Sequence, residues 1–97
     1  MRAIIVDDEP VMTRFFAREC EDIPDLNLIG SFGTGKEALD FAIDNQIEAA
    51  FLDVEMPDMT GLELAVKLRE LRSDMLIIFV SAFDYIKDSN RIGGDYY

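Results

Sequence analysis

The chain of 97 residues contains no histidine and one cysteine, Cys20. A lone cysteine cannot form an internal disulfide, so the chain is not expected to be a secreted, disulfide-stapled domain. We expect Cys20 to be a small core residue rather than a reactive thiol. With no imidazole and one thiol available, any metal site would rely on oxygen ligands, which favour a hard cation.

Long apolar runs and basic residues are also scarce. No apolar run approaches the roughly 20 residues that span a bilayer, and the start MRAIIVDDE breaks too early for a signal peptide. Nine Lys and Arg residues face 20 Asp and Glu residues, giving a formal net charge of −11. This charge opposes contact with a phosphate backbone. We therefore predict a cytoplasmic location, no membrane association and no direct contact with nucleic acid.

What is present is a regular alternation of short apolar runs with helical patterns, typical of a parallel sheet with crossover helices. Hydrophobic residues make up 49% of the chain, enough for one small domain. We predict strands over residues 2–7, 26–31, 48–53 and 75–80. Residues 84–92 could form a short fourth helix, and residues 95–97 could begin a fifth strand.

Three helices are predicted between these strands from their apolar spacing and capping residues. The first ends before Pro24, and Thr34 with Glu37 and Thr60 with Glu63 have capping-box spacing. Their predicted buried faces comprise Met12, Phe16, Cys20 and Ile23 in the first helix, Leu39, Ala42 and Ile43 in the second, and Leu64, Ala65, Leu68 and Leu71 in the third.

Three carboxylates stand where two apolar strands stop. Asp7 and Asp8 follow IIV, and Asp53 follows AAFL. The ends of parallel strands open on one edge of a sheet, so these side chains should converge there. Like charges about 4 Å apart repel by roughly 4 kcal/mol at an effective dielectric near 20, which favours a bound cation such as Mg²⁺. Each aspartate alone could equally be an ordinary turn or cap residue.

Four segments of the chain are informative together: IIVDDEP (4–10), FLDVEMPDMTGLEL (51–64), IIFVSA (77–82) and GGDYY (93–97). They resemble the receiver domain of two-component response regulators, and the resemblance covers essentially the whole chain. It implies one α/β domain over residues 1–97, a doubly wound parallel sheet of the flavodoxin-like receiver fold with strand order 2-1-3-4-5.

The resemblance also implies a chemical role for the acidic residues. Asp53 would accept a phosphoryl group from a histidine kinase or phosphotransfer protein, in a self-modification rather than enzymatic turnover. Mg²⁺ would be bound directly by Asp8, mainly through water by Asp7, and by Asp53 and the backbone carbonyl of Glu55. The side chain of Glu55 would then be solvated.

Two further positions carry over from the family. Ser81 would be the switch hydroxyl that bonds the phosphoryl oxygen, and Tyr97 would be the aromatic switch. The alternatives are an ordinary turn serine and an ordinary half-buried strand tyrosine. The switched surface would act through an output domain, which the short segment after Ala82 suggests could be of the LytTR or AraC type and regulate transcription.

The chain departs from the family at its end. It stops at Tyr97, before the Lys-Pro and fifth helix that receivers carry, so we expect a final strand that is incomplete and a fifth helix that is missing. The edge of the fourth strand would then be uncovered, which predicts self-association, for example as a homodimer, or reduced stability.

Three alternatives remain open from the sequence. A pseudo-receiver would keep the acidic site as an interaction module that is never phosphorylated. An aspartyl-phosphate hydrolase of the haloacid dehalogenase type also uses a strand-end aspartate and Mg²⁺, but it requires a second acid, as a rule Asp, where Glu55 stands. The tail RIGGDYY (91–97) resembles the GGDEF signature of diguanylate cyclases, although such a domain needs far more chain.

Overall fold

The computed structural model describes residues 1–80, which alternate four strands with three helices. These elements are β1 (Arg2–Val6), α1 (Pro10–Cys20), β2 (Asn27–Phe32), α2 (Gly35–Asp44), β3 (Ala49–Leu52), α3 (Gly61–Leu71) and β4 (Leu76–Phe79). Every strand pair is parallel, and the order is β2-β1-β3-β4. The predicted parallel α/β sheet and the order of its first four strands are confirmed. The predictions for residues 84–92 and 95–97 lie outside the described residues.

The core lies between the central strands and the helices that pack against them. β1 and β3 are apolar because the neighbouring strands and helices cover them, as is usual for the central strands of a parallel sheet. Full burial of one large aliphatic side chain contributes about 1.5–3 kcal/mol. The buried cluster consists of Ile4, Val6, Ala38, Ala42, Ile47, Ala50, Leu52, Leu64, Leu68 and Met75.

Three of the residues predicted to lie on the buried faces of the helices are exposed. Ile43 is 61% exposed and Leu71 is 41% exposed, and α1 ends at Cys20, which leaves Ile23 outside the helix and 49% exposed. In α2 the predicted Ala42 is fully buried, and so is Ala38, which was not predicted. The predicted Leu39 also packs against the core, whereas Ile43 lies on the exposed side of α2.

The predicted capping box is complete at the start of α3, whereas at the start of α2 only the Thr34 side-chain cap is formed. The Thr60 hydroxyl accepts a hydrogen bond from the Glu63 amide at 3.1 Å, and the Glu63 carboxylate accepts one from the Thr60 amide at 2.8 Å, which completes a capping box. At α2 the Thr34 hydroxyl accepts from the Glu37 amide at 3.2 Å. Both helices therefore begin at fixed residues near the carboxyl edge of the sheet. None of the helices within residues 1–80 is long and apolar enough to cross a membrane.

Candidate metal centre

The sheet register places two aspartates side by side. Val6, the last residue of β1, pairs with Leu52, the last residue of β3. The Asp53 amide continues this ladder by donating to the Val6 carbonyl at 2.9 Å, and the Asp7 amide donates to the Phe32 carbonyl at 2.9 Å. The predicted convergence is therefore a consequence of the strand register, because β1 and β3 end side by side at the same edge of the sheet.

Asp7, Asp8 and Asp53 form one carboxylate cluster at this edge. One ligand oxygen from each residue can be chosen so that all three lie within 4.8 Å of one another. Asp7 is 5% exposed, Asp53 is half-buried and Asp8 is exposed. No Lys or Arg among residues 1–80 forms an ion pair with the cluster. Within these residues the ion pair that does form joins Lys36 to Asp40.

Burial and mutual repulsion disfavour ionisation of these carboxylates in the absence of a cation. Burial, followed by the charge of Asp7, raises the pKa of Asp53 from its ordinary value of 3.8 to about 6, against the lowering effect of hydrogen bonds from the Val54 and Glu55 amides. Burial is also the main cause that raises the pKa of Asp7, with Asp8 adding to the effect. A positive ion at this position would lower the pKa of both carboxyl groups and so favour their ionised forms.

The donor set suits a hard divalent cation. All three side chains offer carboxylate oxygen, which is the ligand type of Mg²⁺, and that ion usually takes one or two carboxylates while keeping several waters. Asp7 also makes the turn that the alternative interpretation expected, because its carboxylate accepts a hydrogen bond from the Glu9 amide at 2.9 Å. This bond fixes the Asp7 side chain at the start of the segment that carries Asp8.

Residues 53–60, which connect β3 to α3, form the β3–α3 loop. It closes through a bridge between Glu55 and Thr60 and through a hydrogen bond of 2.7 Å from the Gly61 amide to the Val54 carbonyl. Met56 and Met59 pack against the core. The two ends of the loop are therefore held together, and its methionines pack it on the core.

Two long-range contacts of α2 were not found by reasoning from the sequence. The Asp58 carboxylate accepts hydrogen bonds from the Gly35 and Lys36 amides, and the Arg72 guanidinium donates to the carbonyls of Ala42 and Asn45. Each contact joins residues at least 22 positions apart, so local spacing carries no signal for it. Ser81 and Tyr97, the predicted switch residues, lie outside the described residues.

Comparison with known proteins decides the family. Residues 3–93 match the response regulator receiver domain. The chain belongs to the response regulator receiver domain family. The parallel sheet, its strand order and the acidic edge of this receiver domain all agree with that membership.

Relatives and solved structures agree. The receiver domain is 33% identical over 84 residues to the transcriptional regulatory protein LytR of Staphylococcus aureus (strain N315), covering 87% of this chain and 34% of LytR. It is 34% identical over 79 residues to a protein-glutamate methylesterase/protein-glutamine glutaminase of Treponema pallidum, covering 81% of this chain and 20% of that protein. The response regulatory domain of mrkE from Klebsiella pneumoniae superimposes with a TM-score of 0.77 at 26% identity, covering 93% of this chain and 75% of that one.

The receiver domain thus spans about a third of the length of the LytR relative. It has the flavodoxin-like α/β fold of the receiver structures it matches.

Proposed function

We propose that the domain accepts a phosphoryl group on Asp53 from the phosphohistidine of a histidine kinase or phosphotransfer protein. Asp7, Asp8 and Asp53, together with the backbone carbonyl of Glu55, would hold Mg²⁺ for this transfer. When bound, the ion would offset the negative charge of the carboxylates and orient the phosphoryl oxygens. The observation that carries the proposal is the cluster of three aspartates at one sheet edge in a member of the receiver family.

Asp53 is the best-placed nucleophile of the three. It stands directly after the central strand β3, and its backbone is held by the hydrogen bond to Val6. Asp7 is committed to the turn at Glu9, and Asp8 is exposed at the outer side of the cluster. In the transfer, an Asp53 carboxylate oxygen forms a bond to phosphorus while the bond from phosphorus to the donor imidazole nitrogen breaks. The electron pair stays with the imidazole, which then takes up a proton.

The product would be an acyl phosphate that adds about two negative charges to this edge of the sheet. We expect it to draw the Ser81 hydroxyl inward and to alter the surface beyond β4, with Tyr97 changing its rotamer. Hydrolysis then returns the domain to its starting state, so the reaction is one slow cycle of self-modification rather than enzymatic turnover.

The consequence for the parent protein would be regulation of transcription. LytR is named a transcriptional regulatory protein, and this chain corresponds to about a third of it. We propose that an output domain elsewhere in the parent protein contacts DNA, because the charge of −11 opposes such contact by this domain. We propose a cytoplasmic location, which the lone cysteine and the short apolar runs of the sequence support.

A time course of phosphate chemistry tests the proposal against its competitors. The chain is mixed with Mg²⁺ and acetyl phosphate, and both protein-bound and released phosphate are followed. A receiver binds one phosphate per chain and releases it slowly. Continuous release would instead identify an aspartyl-phosphate hydrolase, and no incorporation would identify a pseudo-receiver, so either result would refute the proposal.

A further inference from the structure

The tip of the β3–α3 loop is anchored on a different helix. The Asp58 carboxylate accepts one hydrogen bond from the Gly35 amide at 3.0 Å and another from the Lys36 amide at 2.9 Å. These are the first two residues of α2. The first amides of a helix have no partner within it, so a side chain from elsewhere can satisfy them. Asp58 supplies two such partners at once.

Charge favours this contact. The amides of Gly35 and Lys36 lower the pKa of Asp58, so the carboxylate stays ionised at neutral pH. A negative charge at the first turn of a helix is also stabilised by the helix dipole. Met59 strengthens the anchor, because a Cβ built on Gly35 would lie 2.6 Å from its sulfur. Glycine at this position therefore allows the loop tip to approach α2 closely.

Helix α2, on which the loop is anchored, is itself held in place by the core and by Arg72. Its buried residues Ala38 and Ala42 belong to the core. At its far end the Arg72 guanidinium donates to the carbonyls of Ala42 at 3.0 Å and Asn45 at 2.8 Å. The helix is thus held at its first turn by Asp58 and at its last turn by Arg72, two residues that flank α3.

The β3–α3 loop consequently has an inner and an outer anchor. The inner anchor is the Gly61 to Val54 hydrogen bond next to β3, and the outer anchor is Asp58 on α2. Asp53 and Glu55, which the proposed function assigns to phosphoryl transfer and metal binding, lie between the strand and the outer anchor. Their backbone position therefore depends on both.

We propose that Asp58 is a positioning residue for the phosphoacceptor site, holding the β3–α3 loop on α2 so that the backbone at Asp53 and Glu55 is ready for Mg²⁺. This inference rests on the proposed function. Its consequence is that metal binding at the cluster and the hydrogen bonds at the start of α2 are coupled. Loss of residues that orient metal ligands typically weakens metal affinity 10–100-fold, and the lower end of that range is expected here because Asp58 acts through the backbone.

The test is an Mg²⁺ titration of isotope-labelled wild-type chain, Asp58→Ala and Asp58→Asn, followed by the amide signals of Gly35, Lys36, Val54 and Glu55. Asp74→Ala is the control, because it also removes one acidic side chain, but from the exposed segment before β4 at the opposite edge of the sheet. In the wild type and the control, all four amides should shift with the same midpoint. Asp58→Ala should bind about tenfold more weakly, and its Gly35 and Lys36 amides should no longer respond. Asp58→Asn, which keeps one acceptor oxygen, should lie in between.

The outcomes separate the two proposals. If the wild type binds Mg²⁺ and Asp58→Ala binds equally tightly with unchanged Val54 and Glu55 signals, Asp58 is only a helix cap and the inference is wrong, even if the variant is less stable. If the wild type itself shows no Mg²⁺-dependent shifts, the proposed metal site fails and the inference fails with it. Should Asp58→Ala not fold, Asp58→Asn alone decides by the same criterion.

Discussion

Gly61 lies directly against the backbone of Asp53. A Cβ built at position 61 would overlap the Asp53 carbonyl oxygen and would lie 3.2 Å from the Val54 Cα. Both obstacles are backbone atoms, so no side-chain rotation can relieve the overlap. The absence of a side chain at Gly61 therefore allows α3 to start close behind the proposed phosphoacceptor, with the Gly61 amide bonded to Val54.

The first prediction follows from this contact. Gly61→Ala should lower the free energy of unfolding by about 1–3 kcal/mol, the usual effect of overpacking a tight site. Gly33→Ala is the matched control, because a Cβ at Gly33 has no neighbour within 4 Å, and it should change stability little. Urea denaturation of both variants measures the difference. Equal stability of Gly61→Ala and the wild type would show that the backbone at Asp53 and Val54 can shift at little cost, contrary to the prediction.

The second prediction concerns the ligands of Mg²⁺. Asp8→Ala should weaken Mg²⁺ binding more than Glu55→Ala, because Asp8 would contribute its carboxylate whereas Glu55 would contribute only a backbone carbonyl. Calorimetric titration of both variants provides the comparison, and each substitution removes one negative charge. Equal losses of affinity would mean that the ligand set is assigned incorrectly.

The third prediction is a pH dependence of stability without metal. The pKa of Asp53 is raised to about 6 from 3.8, chiefly by burial, so the folded state binds this proton more tightly than the unfolded state. The free energy of unfolding contributed by Asp53 should therefore fall as the pH rises from 3.8 to about 6, and stay low above it. Asp53→Asn removes this loss, so the variant should be more stable than the wild type at neutral pH.

Denaturation in EDTA from pH 3.5 to 7.5 checks this third prediction. The stability advantage of Asp53→Asn should shrink towards the acid end, and Mg²⁺ should narrow it at neutral pH by stabilising the wild type. Asp74→Asn serves as the charge control at an exposed position far from the cluster. An Asp53→Asn variant that is less stable than the wild type at neutral pH would show that the ionised Asp53 carboxylate does not destabilise the folded state.

The fourth prediction tests the cap of α3. Thr60→Ala removes the acceptor for the Glu63 amide and should cost about 0.5–2 kcal/mol of stability. Thr13→Ala in α1 is the control, because the Thr13 hydroxyl only donates to the Pro10 carbonyl within its own helix. Thermal or urea unfolding of both variants measures the effect. A cost at Thr13 as large as that at Thr60 would argue against a specific capping contribution.

The sequence predicted the parts of this fold that depend on local pattern. Apolar runs that end in aspartate indicated both the central strands and the edge where the carboxylates converge. The Thr60 and Glu63 spacing correctly predicted a capping box, since both partners lie within one helical turn. The receiver resemblance supplied the strand order, which periodicity alone could not give.

The remaining features depend on tertiary contacts. Ile43 was expected in the core because its spacing places it with Leu39 and Ala42, yet α2 buries Ala38 and Ala42 and leaves Ile43 exposed. Asp58 resembled an ordinary loop residue, since its partners at the start of α2 lie 22 and 23 positions away. Such pairings become visible only once the loop and the helix are placed together.

Intact-mass spectrometry after incubation with Mg²⁺ and acetyl phosphate tests the central claim, that Asp53 is the phosphoacceptor, most directly. The wild-type chain should gain one phosphate, and Asp53→Asn should gain none while remaining folded by circular dichroism. Asp74→Asn serves as the acidic-residue control and should still be modified. A phosphate adduct on Asp53→Asn equal to that on the wild type would contradict the account.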